Sequence, residues 1–439
     1  MTIRTALCAA STLAICAAGS AFADGHQTTV TIATVNNGDM IRMQGLTDAF
    51  TEQHPDIALE WVTLEENVLR QRVTQDIATQ GGQFDVLTIG MYETPIWAEQ
   101  GWLVALDDMG EDYDADDILP AMREGLSYDG TLYAAPFYGE SSMVMYRTDL
   151  FEEAGIDMPM EPTWQQVADA ARQLTDRDAE QYGICLRGKA GWGENMAFIT
   201  TVGNAFGARW FDEDWNAQAD SPEWSEAINF YNDLLTDAGP PGAATNGFNE
   251  NLALFQQGRC AMWIDATVAA SFVTNPDDSE VADSVGFALA PDAGNGKRSN
   301  WLWAWALAVP SGSDATEEAK TFISWATSKD YIELVAENEG WANVPPGART
   351  SLYETAEYQD VPFAEMTLNS INAANPSEPT VDPVPYVGVQ YVAIPEWQGM
   401  GTAAGQEFSA MLAGQQTPEE ALQKVQDLFN EEMEAAGYR

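Results

Sequence analysis

From Thr29 to Gly90 the chain alternates β-branched apolar runs with segments of helical spacing, and few folds accommodate that order. Thr29 to Val35 reads as a strand that Asn36-Asn37-Gly38-Asp39 breaks. Met40, Met43, Leu46 and Phe50 then recur at helical spacing up to His54-Pro55. Ile57, Leu59 and Trp61 alternate as a second strand, Glu65 to Gln80 reads as a helix, and Phe84 to Gly90 as a buried parallel strand. Strands alternating with helices predict an α/β sheet. Ligands of such sheets sit beyond the carboxyl ends of the strands. That places Asn37 and Asp39, with Gly90, Met91 and Tyr92, on one rim. Ordinary turns rich in Asn, Gly and Asp have the same composition.

The alternation recurs without a sequence repeat. Helices are expected over Asp149–Ala154, Thr163–Leu174, Trp224–Ala238, Glu317–Thr327 and Tyr331–Asn338, with a short strand over Val285–Ala290. Thr417-Pro418-Glu419-Glu420 is a capping box with proline at the first helical position, and Gly437 stops that helix. Pro376 to Pro385 reads as an extended crossing. At 439 residues the chain exceeds one core, so two or more lobes are expected. No long flexible linker separates them, which predicts several short crossings.

The first 23 residues read as a secretory signal. Arg4 precedes the uncharged stretch Ala6 to Ala18, and Ser20-Ala21-Phe22-Ala23 offers cleavage after Ala23. A lipoprotein cut before Cys16 is disfavoured by the bulky Ile15. An exported, periplasmic chain follows. Of the four cysteines Cys185 and Cys260 outlast cleavage, as a disulfide or as two buried thiols. The chain carries 68 Asp and Glu against 19 Lys and Arg, a formal net charge of −49. Such a surface repels phosphate backbones, which excludes nucleic acid as a partner.

Chemistry that needs histidine has little to work with, since only His26 and His54 exist. Gly139-Glu140-Ser141-Ser142-Met143 lacks the final glycine of a nucleophile elbow. Gly188-Lys189-Ala190-Gly191-Trp192-Gly193 fits neither the dinucleotide nor the P-loop pattern. Asp212, Asp214, Asn216 and Glu223 follow calcium-loop spacing, but Ala217 stands where the turn needs glycine. No metal and no cofactor is expected. Paired carboxylates keep a secreted carbohydrate-active enzyme as the alternative class, and a passive adhesin as another.

The positive signal is aromatic. Fifteen tryptophans are many for packing alone, and Trp301-Leu302-Trp303-Ala304-Trp305 puts three indoles on one side if it is a strand. Indole faces pack against C–H surfaces of polyhydroxy compounds, while planar polar groups bridge their hydroxyls. Core packing is the competing reading for these residues. Trp192 lies between Gly191 and Gly193, where a bare backbone lets something approach. Glu140, Arg187 and Asp265 each follow apolar or aromatic residues, so each is a structural ion pair or a ligand contact. A Cys185–Cys260 bond would bring Arg187 and Asp265 together.

Ala134-Ala135-Pro136-Phe137-Tyr138-Gly139-Glu140-Ser141-Ser142, followed by Tyr146-Arg147, resembles family 1 extracellular solute-binding proteins of ABC importers. Tyr182-Gly183-Ile184-Cys185-Leu186-Arg187-Gly188, Trp192 to Met196, Cys260 to Thr267 and Trp301 to Trp305 are similar to the polyol-binding branch of that family. The resemblance implies a type II periplasmic-binding-protein fold whose two lobes are joined by hinge crossings near Pro136, Pro291 and Trp341. One lobe would comprise residues 24–136 and 291–340, the other 137–290 and 341–439. It implies a monomeric, non-enzymatic receptor that holds a small polyol or sugar of the mannitol, sorbitol or arabinitol type between the lobes and delivers it to the membrane permease. Glu140, Arg187, Asn195, Asp265 and Trp303 would touch the ligand, with Tyr138, Trp192 and Trp305 as further contacts. A sugar or oligosaccharide is the alternative ligand.

Overall fold

The computed structural model describes residues 27–110 and 113–439. The signal segment, its cleavage point and His26 lie outside them. Among the described residues ten strands form three sheets: β1 Thr28–Val35, β2 Ile57–Leu64, β3 Val86–Ile89, β4 Ser127–Tyr128, β5 Thr131–Leu132, β6 Ala135–Glu140, β7 Ser142–Arg147, β8 Met262–Ala266, β9 Val285–Leu289 and β10 Trp303–Ala308. The larger sheet runs β2-β1-β3-β10-β6, a second runs β8-β7-β9, and β4-β5 is a small hairpin.

In the larger sheet β1 pairs in parallel with β2 and with β3, as the opening alternation predicts. β10 runs antiparallel to both β3 and β6. Therefore β1, β2, β3 and β6 all end at one edge, and β10 begins there. Residues distant in sequence converge on that edge: Asn36 and Asn37 after β1, Glu65 and Glu66 after β2, Gly90 after β3, Glu140 at the end of β6 and Trp303 at the start of β10.

The chain passes between the two main sheets at Ser141, because β6 stays paired with β10 through Glu140. That is later than Pro136. The return runs beside it: the Ser141 hydroxyl donates to the Trp301 carbonyl at 2.6 Å and the Ser142 hydroxyl to the Ser299 carbonyl at 3.0 Å. A third strand of chain lies alongside, with Gly139 N–H donating to the Pro346 carbonyl at 2.9 Å. Beyond Trp341, buried Arg349 still donates to the carbonyls of Tyr113, Asp114 and Thr327 around the larger sheet. The helix Ala364–Asn372 then packs on β7 and β9. The third passage thus also falls later than the sequence placed it.

Helix ends follow their local chemistry. Thr163 and Thr417 each close a capping box, with Gln166 and Glu420 respectively. Pro376 to Pro385 forms turns and bends without regular structure. The Asp212 carboxylate accepts the N–H groups of Asp214 and Asn216 and the Asn216 amide, so that acidic loop folds on itself. Trp164, Trp210, Trp224, Trp263 and Trp397 are fully buried, with Trp210 and Trp224 stacked 3.7 Å apart. Packing therefore claims five of the tryptophans.

Cys185 and Cys260 are bonded across a separation of 75 residues. The Cys185 N–H also donates to the Met262 carbonyl at 2.9 Å. Reducing the bond, or replacing both cysteines by serine, is expected to cost up to about 4 kcal/mol through the freed unfolded chain. Urea unfolding with and without reductant measures it, and an unchanged midpoint would contradict the expectation.

Candidate ligand-binding cleft

Two connected hollows lie between the larger sheet and the helices around the second one. Both are small, with room for about 90 Å³ and about 40 Å³, and Glu66, Glu140, Arg187 and Trp305 line both. The first adds Asn36, Asn37 and Tyr138 from one side, Lys189, Glu194 and Phe248 from the other. The second adds Arg70, Trp192, Trp301, Trp303 and Gln390.

The indole wall is built by close approach. A Cβ on Gly90 would lie 1.9 Å from the Trp303 ring, so only glycine seats that indole. Trp303 meets Trp192 at 5.8 Å and Trp305 at 5.6 Å between centroids, both edge to face. β10 starts only at Trp303, yet Trp301 also lines the hollow. The Arg70 guanidinium lies 4.0 Å from the Trp192 ring centroid and 4.8 Å from that of Trp305. Ion pairs to Glu66 at 2.9 Å and Glu93 at 2.5 Å hold it there.

The glycines around Trp192 admit the protein's own chain. A Cβ on Gly193 would lie 2.0 Å from a Glu66 carboxylate oxygen, and one on Gly191 2.4 Å from the Asn67 amide oxygen. Lys189 binds Glu65 at 2.7 Å, and the Asn67 amide donates to the Ala190 carbonyl at 3.2 Å. The start of the helix Glu66–Thr79 therefore meets the 188–193 loop face to face.

Arg187 and Asp265 form a buried fork, Nε to Oδ2 at 2.9 Å and Nη2 to Oδ1 at 2.6 Å. Asp265 also accepts from Trp263 Nε1 at 3.1 Å and from the Ala266 N–H at 2.7 Å. Burial works against the Arg187 charge, but Asp265 outweighs it and the guanidinium pKa rises. Asp265 thus positions Arg187 and does not line the hollows. Burial, aided by Asp265, pushes Glu140 up to about 8 against the pull of Arg187. Burial, then the charge of Glu66, pushes Glu194 up to about 7. Among the described residues the Trp301 indole is the one side-chain donor near the Glu140 carboxylate, and it too draws the pKa down. Trp192 Nε1, Trp301 Nε1 and Glu194 Oε2 are buried without a full hydrogen bond among the described residues, and Glu194 Oε2 lies 3.6 Å from Arg187 Nη1.

Several sequence candidates stand behind the cleft instead. Asn195 accepts from the Gly191 N–H at 3.2 Å and donates to the Gly405 carbonyl at 2.8 Å, so its amide braces the loop. Asp39 pairs with Arg42, which holds Glu339 at 2.5 Å; burial lifts Asp39 to about 6. Tyr92 donates to the Ile394 carbonyl at 3.0 Å while its ring lies 4.8 Å from Trp192. Asn37 does face the cleft and donates to the Tyr138 hydroxyl at 2.7 Å. Sequence reading missed Glu66, Arg70, Glu194, Phe248 and Gln390. Glu66 and Arg70 are spaced four apart, which reads as an ordinary helix-surface pair.

The raised Glu140 pKa sets a pH dependence. Between about pH 4.5 and 8 the folded chain holds a proton that the unfolded chain has lost, so stability falls as pH rises through that window. Glu140→Gln is expected to flatten this slope and to gain stability over the parent above pH 8, by several kcal/mol at most. Thermal unfolding of both proteins from pH 5 to 9 tests it; parallel curves would contradict it.

A family model for bacterial extracellular solute-binding proteins matches residues 37–333. A mannitol-binding protein of Pseudomonas aeruginosa is 56% identical over 425 residues, covering 97% of each chain. An ABC-transporter solute-binding protein of Agrobacterium vitis, crystallised with bound D-mannitol, superposes with a TM-score of 0.92 at 67% identity, over 93% of this chain and 99% of that one. A ribitol complex from Agrobacterium radiobacter shares the fold, with a TM-score of 0.81 at 24% identity over 92% of this chain and 98% of its own.

Proposed function

Because the chain belongs to the bacterial extracellular solute-binding protein family, we propose that its cleft captures a small neutral polyol of the mannitol type and presents it to the membrane permease of an ABC importer. The observation that carries this reading is the cleft itself: four indoles wall a hollow lined by Glu140, in which a Glu194 oxygen and two indole N–H groups lack full hydrogen bonds. Hydroxyls both donate and accept, so one polyol can satisfy all of these while its C–H faces lie on the indoles. The mannitol-binding relatives support the same ligand.

Glu140, Arg187, Trp192, Trp301, Trp303, Trp305 and Tyr138 are the proposed contacts. Asp265, Asn195 and Arg70 hold them in place. The larger sheet and the β8-β7-β9 sheet are the cores of two lobes that hinge at Ser141, Ser299–Trp301 and the chain beyond Arg349. Opening parts Lys189 from Glu65 and Asn67 from Ala190; solute shifts the population to the closed form by touching both sides. The chain performs no chemistry on its guest. Among the described residues no helix is long and apolar enough to cross a membrane. The signal-like N-terminal sequence and the disulfide fit a periplasmic location.

Thermal unfolding against mannitol, sorbitol, arabinitol, xylitol, glucose and maltose tests the reading. Mannitol at a thousand times its dissociation constant is expected to stabilise by about 4 kcal/mol. A shift with maltose alone would overturn the polyol assignment.

A further inference from the structure

We propose that the cleft also takes polyols bearing a protonated amine, with the ammonium seated against Glu140. This rests on the polyol reading above and extends its ligand class from neutral to cationic. Five carboxylates line the first hollow, Glu65, Glu66, Glu140, Glu194 and Glu250, against only Arg187 and Lys189. Neither cation lies within ion-pair distance of Glu140, although the charge of Arg187 reaches it. Arg187 turns its fork to Asp265 and donates its remaining Nη1 to the Gly193 carbonyl at 2.9 Å. Lys189 is held by Glu65 at 2.7 Å, and Arg70 by Glu66 and Glu93.

Glu140 is 6% exposed and lines both hollows, and the Trp301 indole is the one side-chain donor near its carboxylate among the described residues. A buried carboxylate needs a donor. A hydroxyl supplies one; an ammonium supplies three, together with the opposite charge in a site with surplus acid. The same surplus disfavours an anionic sugar acid of equal length.

Titration calorimetry at pH 8.5, where Glu140 is mostly ionised, compares D-mannitol, D-glucitol, 1-amino-1-deoxy-D-glucitol and D-gluconate on the mature protein. The amino compound is expected to bind about tenfold more tightly than D-glucitol, as a charge-assisted bond implies, and D-gluconate at least about tenfold more weakly. Glu140→Gln is expected to bring the amino compound and D-glucitol within about threefold of each other. Amino-compound binding equal to or weaker than D-glucitol overturns the inference, and the wild-type order decides this even if the variant does not fold. A preference that survives in folded Glu140→Gln overturns it too. If D-mannitol binds and the amino compound does not, this inference alone falls; if no alditol binds, the polyol reading falls with it.

Discussion

Replacing Arg187 by methionine is expected to destabilise the protein by about 3–5 kcal/mol and to abolish measurable polyol binding. Asp265 is fully buried, and the guanidinium fork supplies its only cationic partner within ion-pair distance among the described residues. Without it, Trp263 Nε1 and the Ala266 N–H remain as donors to a carboxylate stranded in the interior. The apparent melting temperature should fall by roughly 5 °C. Adding Asp265→Leu should restore part of that loss, because removing both charges removes the uncompensated one. Binding should stay lost, since Arg187 also lines both hollows and holds the Gly193 carbonyl. A double variant no more stable than the single would contradict this account of the pair.

The second large effect belongs to Trp303. Its ring fills the space above Gly90 and meets Trp192, Trp305 and Tyr391 edge to face. Trp303→Ala deletes the centre of the indole wall, and its neighbours cannot close the gap because β10 is fixed between β3 and β6. Truncation of such a central aromatic anchor typically costs about 2–4 kcal/mol of binding, or roughly thirty- to a thousandfold in affinity. Trp303→Phe keeps part of the apolar face and should lose less. Calorimetry with D-mannitol on both variants reads the difference. Equal affinity in Trp303→Ala and the parent would remove this indole from the site.

The α/β order of the N-terminal half was legible because strands and helices there differ in period, and the capping boxes at Thr163 and Thr417 are local signals. The Arg187–Asp265 pair was legible through its odd surroundings: a charge after an apolar run must find a partner. Residues whose role depends on distant chain were harder. Asn195, beside a Gly-Trp-Gly loop, has the composition of a ligand contact, but the Gly405 carbonyl 210 positions away claims its amide. Asp39 sits on the expected strand end, yet Arg42 and Glu339 take it out of the cleft. Arg70 stands at ordinary helix spacing from Glu66, and nothing near it in sequence announces Trp192. The crossing points were placed early for the same reason: β6 runs to Glu140 only because β10, some 160 residues later, pairs with it that far.

The most direct test is a crystal structure of the mature protein grown with D-mannitol. The account predicts one alditol between the two sheets, its hydroxyls within hydrogen-bond distance of Glu140 and Arg187 and its carbon chain against Trp303 and Trp305. An unmodified ligand lodged elsewhere, as in the surface groove beside His54 and Trp325, with the cleft filled by the protein's own side chains, would contradict it.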